Sequence, residues 1–277
     1  QFTTSHSKFG LKLRCSAAKG YLNPVKKRKN LKIIVNAHVQ KLNFNNKSVE
    51  SVSFFTGDKL NHAKANKEVI LSAGAIGSPH LLQISGIGDS EKIKNHGIDI
   101  VHELKGVGKN LQDHLMFRPV YKLKNIKSLN RDVESLYSKF FMGLQYILKQ
   151  SGPITMGASQ VCAFTKSDPS RATPNLQFHV QPLSTDILGV TPMHNFEGIT
   201  PTVANIRPTS RGEINITSND SRDNPKIKMN YLSTEDDRIV AAKSLKLVRK
   251  IMLETETFKK YQPEEYRPGV HITDDEE

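Results

Sequence analysis

The stretch from Lys67 to Gly88, KEVILSAGAIGSPHLLQISGIG, holds the residues whose types and spacing could do chemistry. What it offers is bare backbone rather than acid–base groups. Glu68–Gly74 is a short, continuous, largely apolar run, which predicts a strand buried on both faces. Such a strand ends at the carboxyl edge of a parallel sheet, where ligands of doubly wound sheets sit. Its last residues are Ser72, Ala73 and Gly74, and a Cβ at the end would collide with a bulky ligand lying across it. Ser78 and Pro79 predict the start of a short helix running to Gly86, whose free N–H groups favour an anion such as pyrophosphate. Gly86 and Gly88 allow tight turns. Taken singly, each glycine reads as a helix stop or a turn; taken together they point to a nucleotide cofactor. The dinucleotide fingerprint itself is missing, because GIGDSE and GVGKNL lack a third glycine at the right step and do not open a helix after a strand.

Other chemistries find little support. Two cysteines, Cys15 and Cys162, make neither a disulfide framework nor a metal site, and Cys162 in SQVCAF reads as a buried free thiol. The chain of 277 residues is 37% hydrophobic and 24% charged, enough for one large domain or two smaller ones. No apolar run reaches the roughly 18–20 residues of a membrane span. A net charge of +13 is concentrated locally in PVKKRKN, Pro24 to Asn30. That run could meet nucleic acid or anionic lipid, but it is short and has no interleaved aromatic, so it reads as a solvated loop. Sequons at Asn46, Asn215 and Asn219 permit a secreted setting. The start at Gln1 suggests a chain that begins inside something larger.

The elements that must position the glycine-rich segment follow from periodicity. Leu31–Phe44 and Val49–Phe55, joined by NNKS, read as a hairpin. Asp89–Gly97 reads as a second short helix capped by Asp89 or Ser90, followed by a strand in IDIVHEL. Asn130 to Pro153 reads as one long helix with Val133, Leu136, Tyr137, Phe140, Phe141, Leu144, Ile147 and Leu148 on an apolar face. Strands are expected in ASQVCAFT, NLQFHVQP and TPTVANIRP, and a further pair in RGEINIT and PKIKMNYL. A capped helix from Ser233 to Thr255 carries Ile239, Val240, Leu245, Val248 and Met252 inward. The fold class is therefore an α/β portion followed by an α+β portion.

Several segments carry a resemblance to one family. SAGAIGSPHLLQISGIG resembles the second signature segment of the glucose-methanol-choline (GMC) family of FAD-dependent oxidoreductases. NLKIIVNAHVQKLNF resembles that family's strand whose Ala-x-Val reaches the FAD adenine, here Ala37 and Val39. ELKGVGKNLQDH, Glu103 to His114, and RPTSRGEINITSND with DNPKIKMNYL resemble the end of its amino-terminal region and the start of its carboxy-terminal one. The resemblance covers essentially the whole chain and is nearest the insect FAD/quinone glucose dehydrogenases.

The resemblance implies a partial FAD-binding Rossmann-like domain with an antiparallel-sheet substrate domain. Residues 1–115 would be the incomplete FAD-binding portion, 116–206 the substrate-side sheet and helix, and 207–277 the start of the carboxy-terminal region. It implies FAD as cofactor, an alcohol or sugar as hydride donor, and oxygen or a quinone as electron acceptor. Nucleic acid and a membrane span are not expected. Val39, by backbone contact with the adenine, and Ala73 and Gly74, against the ADP portion, are the implied cofactor-binding residues. Asn110 and His114 match a family segment but read as turn caps. No catalytic residue is expected here: PGVHITDDEE looks like the lead-in to the family's His-x-x-Gly-Thr segment, and His271 reads as a solvated tail residue. The chain alone is accordingly expected to be inactive. The alternative reading is a non-catalytic protein of this fold that binds an anionic partner through its basic surface.

Overall fold

A computed structural model describes residues 4–6, 12–155, 157 and 159–274. The chain forms two compact units: one from residues 1–21, 114–209 and 234–277, the other from residues 22–113 and 210–233.

Along the chain, β1 (Thr4–His6) and β2 (Lys12–Arg14) pair antiparallel. A single helical turn, α1 (Asn23–Val25), precedes the basic run, which is exposed as expected of a solvated loop. The hairpin follows as β3 (Ala37–Asn45) and β4 (Ser48–Thr56), extended to a three-stranded sheet by β5 (Lys59–Lys64) after a turn at Gly57. Residues 31–36, expected in the first strand, lie outside it. Then come α2 (Gly74–Ile84), β6 (Ile87–Gly88), α3 (Ser90–Lys94) and β7 (His102–Glu103), with β6 and β7 parallel. Asp89 caps α3 by accepting from the Lys92 N–H at 3.4 Å. The strand expected in IDIVHEL is reduced to its two residues in β7.

The other unit holds β8 (Met116–Phe117), β9 (Val120–Lys122), α4 (Leu129–Glu134), α5 (Leu136–Lys149), β10 (Val161–Thr165), β11 (Leu176–Gln181) and β12 (Gly198–Asn205). β13 (Glu213–Asn215) and β14 (Lys226–Lys228) form an antiparallel pair in the unit of residues 22–113 and 210–233. The chain then returns through α6 (Glu235–Arg249), α7 (Glu256–Lys259) and β15 (Glu264–Arg267). The larger sheet runs β10-β11-β12-β9-β15, with β8 also on β12. Its core packs Tyr121, Leu176, Phe178, Ile199 and Val203 against Val240 and Val248 of α6 and Met252 beyond it. Thr234 caps α6, three acidic residues occupy its first turn and Lys246 and Arg249 its last, all complementing the helix dipole. The smaller unit packs Ile84, Ile93 and Ile216 together.

Six expectations are corrected. Residues 67–73 belong to no strand, and Ile70 is 78% exposed. A strand buried on both faces needs neighbours on both edges, and no described strand pairs with this segment. The helix after it begins at Gly74 rather than Ser78, because Gly74 takes φ +82° and turns the chain into the helix four residues early. Pro79 therefore lies inside α2, and the Ser78 hydroxyl reaches back to accept from the Ala73 N–H at 3.1 Å. The long helix is two, broken at Ser135, whose side chain caps α5. The apolar stripe of α5, from Leu136 to Leu148, is exposed rather than packed. Cys162 is exposed, not buried, on β10, the edge strand of the described sheet. Ile239 is exposed as well.

Candidate functional site

The implied cofactor residues all fall in the unit made of residues 22–113 and 210–233. Val39 is half-buried in β3 opposite Phe54, and the ladder shifts register between Val39 and Lys41. A bulge of this kind re-aims the backbone beside it. Ala73 and Gly74 are exposed at the start of α2.

One hydrogen-bonded contact ties α2 to β3. At the far end, the Ser85 hydroxyl accepts from the Leu42 N–H at 2.9 Å and donates to the Leu81 carbonyl at 2.6 Å. Nearer the start, burial lowers the His80 pKa, and the charge of His38 lowers it further. His38 itself is fixed to the carbonyl and hydroxyl of Ser221, both at 3.0 Å.

The glycines of the motif divide by what surrounds them. A Cβ on Gly86 would fall 2.3 Å from the Asp99 carbonyl oxygen, and one on Gly88 2.9 Å from Ile93. A Cβ on Gly108 would fall 2.2 Å from both Gln83 Nε2 and the Ile214 carbonyl oxygen. These three are packing and turn residues. Gly74 is different: nothing lies within 4 Å of its Cβ position. Of the cluster read from the sequence, this is the position that leaves bare main chain facing open space. The first-turn N–H groups of α2, free of intrahelical partners, lie beside it. That arrangement can hold an anionic or nucleotide group through main-chain atoms and has no acid, base or nucleophile of its own.

Gln83 was missed by the sequence reading and organises the unit. Its amide donates to the Ile214 carbonyl at 2.9 Å and the Val107 carbonyl at 3.4 Å, and its oxygen accepts from the Ile216 N–H at 2.9 Å. No sequence signal sets it apart from the other polar residues of α2, Ser78 and His80. Asn110 takes φ +63° and its side chain accepts from Arg211 Nε at 2.8 Å, a structural tie. A cleft of about 600 Å³ in this unit, lined by Leu42, Phe44, Ser85 and Asp99 among others, lies at the opposite end of α2 and includes none of Val39, Ala73 and Gly74.

A second tie joins α3, the GVGKNL loop and β13. Lys109 and Lys92 both bond Glu213, Lys92 at 3.3 Å and also to Asn215 at 2.8 Å. The bond to Lys109, then that to Lys92, holds the Glu213 carboxyl down at about 2, from an ordinary 4.5. A carboxyl depressed in the folded state adds stability above its unfolded pKa and loses it as pH falls through the folded value. Acid titration followed by circular dichroism should show stability falling between pH 4.5 and about 2. Glu213→Gln should flatten that slope; an unchanged slope would show that the tie carries no stability.

A hairpin-and-helix unit and an antiparallel-sheet unit in one chain are consistent with a partial FAD-binding domain and a substrate domain. The chain belongs to the GMC oxidoreductase family, whose models match residues 4–116 and 208–277. It is 34% identical over 264 residues to an oxygen-dependent choline dehydrogenase of Pectobacterium atrosepticum, covering 95% of this chain and 47% of that protein. It is 38% identical over 264 residues to that of Staphylococcus xylosus, covering 95% and 46%. An FAD-dependent oxidoreductase from Chaetomium thermophilum shares the fold with a TM-score of 0.81 at 21% identity, over 94% of this chain and 51% of that one. The chain spans about half the length of the curated relatives it matches. The family binds FAD. Among the described residues no helix is long and apolar enough to cross a membrane.

Proposed function

We propose that this chain forms part of an FAD-dependent oxidoreductase acting on CH–OH donors, alcohol or sugar, with oxygen or a quinone as acceptor. In this reading residues 1–115 contribute to the FAD-binding portion and 116–206 to the substrate side. The observation that carries it is the open main chain at Gly74, at the start of α2, within a GMC chain. The residues present fit the ADP portion of FAD. Val39 offers strand backbone to the adenine, and Ala73 and Gly74 leave room for the ribose and phosphates beside the start of α2. FAD, when bound, supplies the acceptor for the hydride of the alcohol carbon. The part of this chain is to hold the nucleotide and to shape the substrate side; no residue of it is assigned as the base.

Gly74→Val tests the fit against a matched control. Gly57 also has positive φ, +59°, and open space at its Cβ position. Valine at either site adds comparable strain, on the order of 1–3 kcal/mol. Fluorescence titration with FAD should show Gly74→Val weakening binding about tenfold, roughly 1.4 kcal/mol, with Gly57→Val unchanged. Equal effects at the two sites would remove Gly74 from the cofactor site.

A further inference from the structure

The sequons at Asn46, Asn215 and Asn219 all fall in the unit of residues 22–113 and 210–233, and the fold treats them differently. An N-linked glycan needs an amide nitrogen with room around it and a hydroxyl two residues on, on surface loop backbone. Asn46 and Lys47 form the turn between β3 and β4, and Asn46, Lys47 and Ser48 are all exposed. The backbone at Asn46 takes φ +53°, which asparagine adopts more readily than most residues. Among the described residues the Asn46 side chain has no hydrogen-bond partner and Lys47 no ion pair.

The other two sequons are engaged by the fold. Asn215 lies in β13, where its side-chain oxygen accepts from Lys92 Nζ at 2.8 Å, so the amide is fixed beside the Lys92–Glu213 pair. Its neighbour Ile216 is buried with Ile84 and Ile93, and the Thr217 hydroxyl donates to the Asn224 carbonyl at 2.9 Å. Asn219 is exposed, but the hydroxyl its sequon needs belongs to Ser221, which is buried and hydrogen-bonds His38 Nε2 at 3.0 Å. Between them, the Asp220 N–H donates to Ser218 Oγ at 3.0 Å and its carboxylate accepts from Arg222 Nε at 3.0 and 3.1 Å. That loop is closed on its own side chains.

We infer that Asn46 is the N-glycan acceptor of this chain in a eukaryotic secretory pathway, and that Asn215 and Asn219 stay unmodified in the folded protein. The donor is an oligosaccharide carried on a lipid diphosphate and presented by an oligosaccharyltransferase. A bond forms between Asn46 Nδ2 and the anomeric carbon of the first sugar as the bond from that carbon to the diphosphate oxygen breaks. The amide gives up one proton, and the lipid diphosphate leaves with the bonding electron pair. Lys47, in the middle of the sequon, complements the charge of that diphosphate, whereas Asp220 in the third sequon opposes it. From Val39 to Asn46 the strand runs roughly 20 Å, so a glycan at the turn stands clear of Val39.

The test expresses the whole chain behind a cleavable signal sequence in insect cells and takes the lumenal and secreted fractions. Enzymatic release of the glycan in heavy-oxygen water, followed by peptide mass spectrometry, marks each asparagine that carried one. The mark should fall on Asn46 in the major part of the chains and be absent from Asn215 and Asn219. Asn46→Gln and Ser48→Ala should each lower the mass of the intact chain by one glycan. Ser48→Thr should keep the glycan, because threonine supplies the same hydroxyl and suits a strand. An unmarked Asn46 in lumenal chain, a mark mainly on Asn215 or Asn219, or a glycan that persists in Asn46→Gln would overturn the inference. The assay involves no flavin, so its failure leaves the cofactor reading to be decided by adenine photolabelling.

Discussion

Arg249→Met should destabilise the unit built from residues 114–209 and 234–277 by about 3–5 kcal/mol. Arg249, in the last turn of α6, forks onto Glu265 of β15, with Nε to Oε2 and Nη2 to Oε1 both at 2.9 Å. The Glu265 side chain is 1% exposed, whereas that of Arg249 is 26% exposed. Removing the guanidinium therefore strands a buried carboxylate, which costs far more than losing a surface pair. The Gly269 N–H and the Tyr121 hydroxyl also contact this carboxylate, at 3.2 and 3.5 Å, and cannot replace the lost charge. Burial, then the Glu265 charge, pushes the Tyr121 hydroxyl well above its ordinary range, so it stays protonated. Urea unfolding gives the difference directly. The double variant with Glu265→Gln should recover part of the loss, because the stranded charge is gone. A loss under about 0.5 kcal/mol for Arg249→Met would mean that the pair behaves as a surface bridge.

Gly108→Val is expected to cost the other unit about 3–5 kcal/mol. The added Cβ would lie 2.2 Å from the Ile214 carbonyl oxygen and from Gln83 Nε2, at φ +79°. The carbonyl is backbone and cannot swing aside. Gly108 also accepts from the Ile214 N–H at 2.7 Å, so relief by backbone movement would break the link from the GVGKNL loop to β13. The same change at Gly74 meets nothing within 4 Å and carries backbone strain alone. A melting-temperature series should therefore rank Gly108→Val well below Gly74→Val, and an inverted order would show the packing argument to be wrong.

The antiparallel parts of the fold were legible in the sequence because alternation and turn residues are local. β10, β11, β13 and β14 fall inside the segments read as strands, and β3, β4 and β12 overrun theirs by one or two residues. That α3 and α6 are capped was legible for the same reason, although the sequence left Asp89 or Ser90 open and did not single out Thr234: a side chain and an N–H three residues on decide the cap. What failed depends on distant partners. Residues 67–73 read as a buried strand from composition, but burial comes from neighbours, and no described strand provides them. Cys162 alternates with apolar residues, yet it lies exposed on the edge strand of the described sheet. Gly74, not Ser78, opens α2 because positive φ is a property that glycine permits but does not announce. At the candidate site, Val39 was placed correctly in a strand, whereas the bulge after it and the role of Gln83 arise only from the folded register.

The most direct test of the account is photolabelling of the whole chain with an azidoadenine diphosphate in the presence and absence of FAD. Tryptic peptides 33–41 and 68–92 contain Val39 and the Ala73–Gly74 turn respectively. Labelling should concentrate in those two peptides and disappear when FAD competes. Label spread elsewhere in the chain, or label in these peptides that FAD leaves untouched, would contradict the placement of the nucleotide against this main-chain edge.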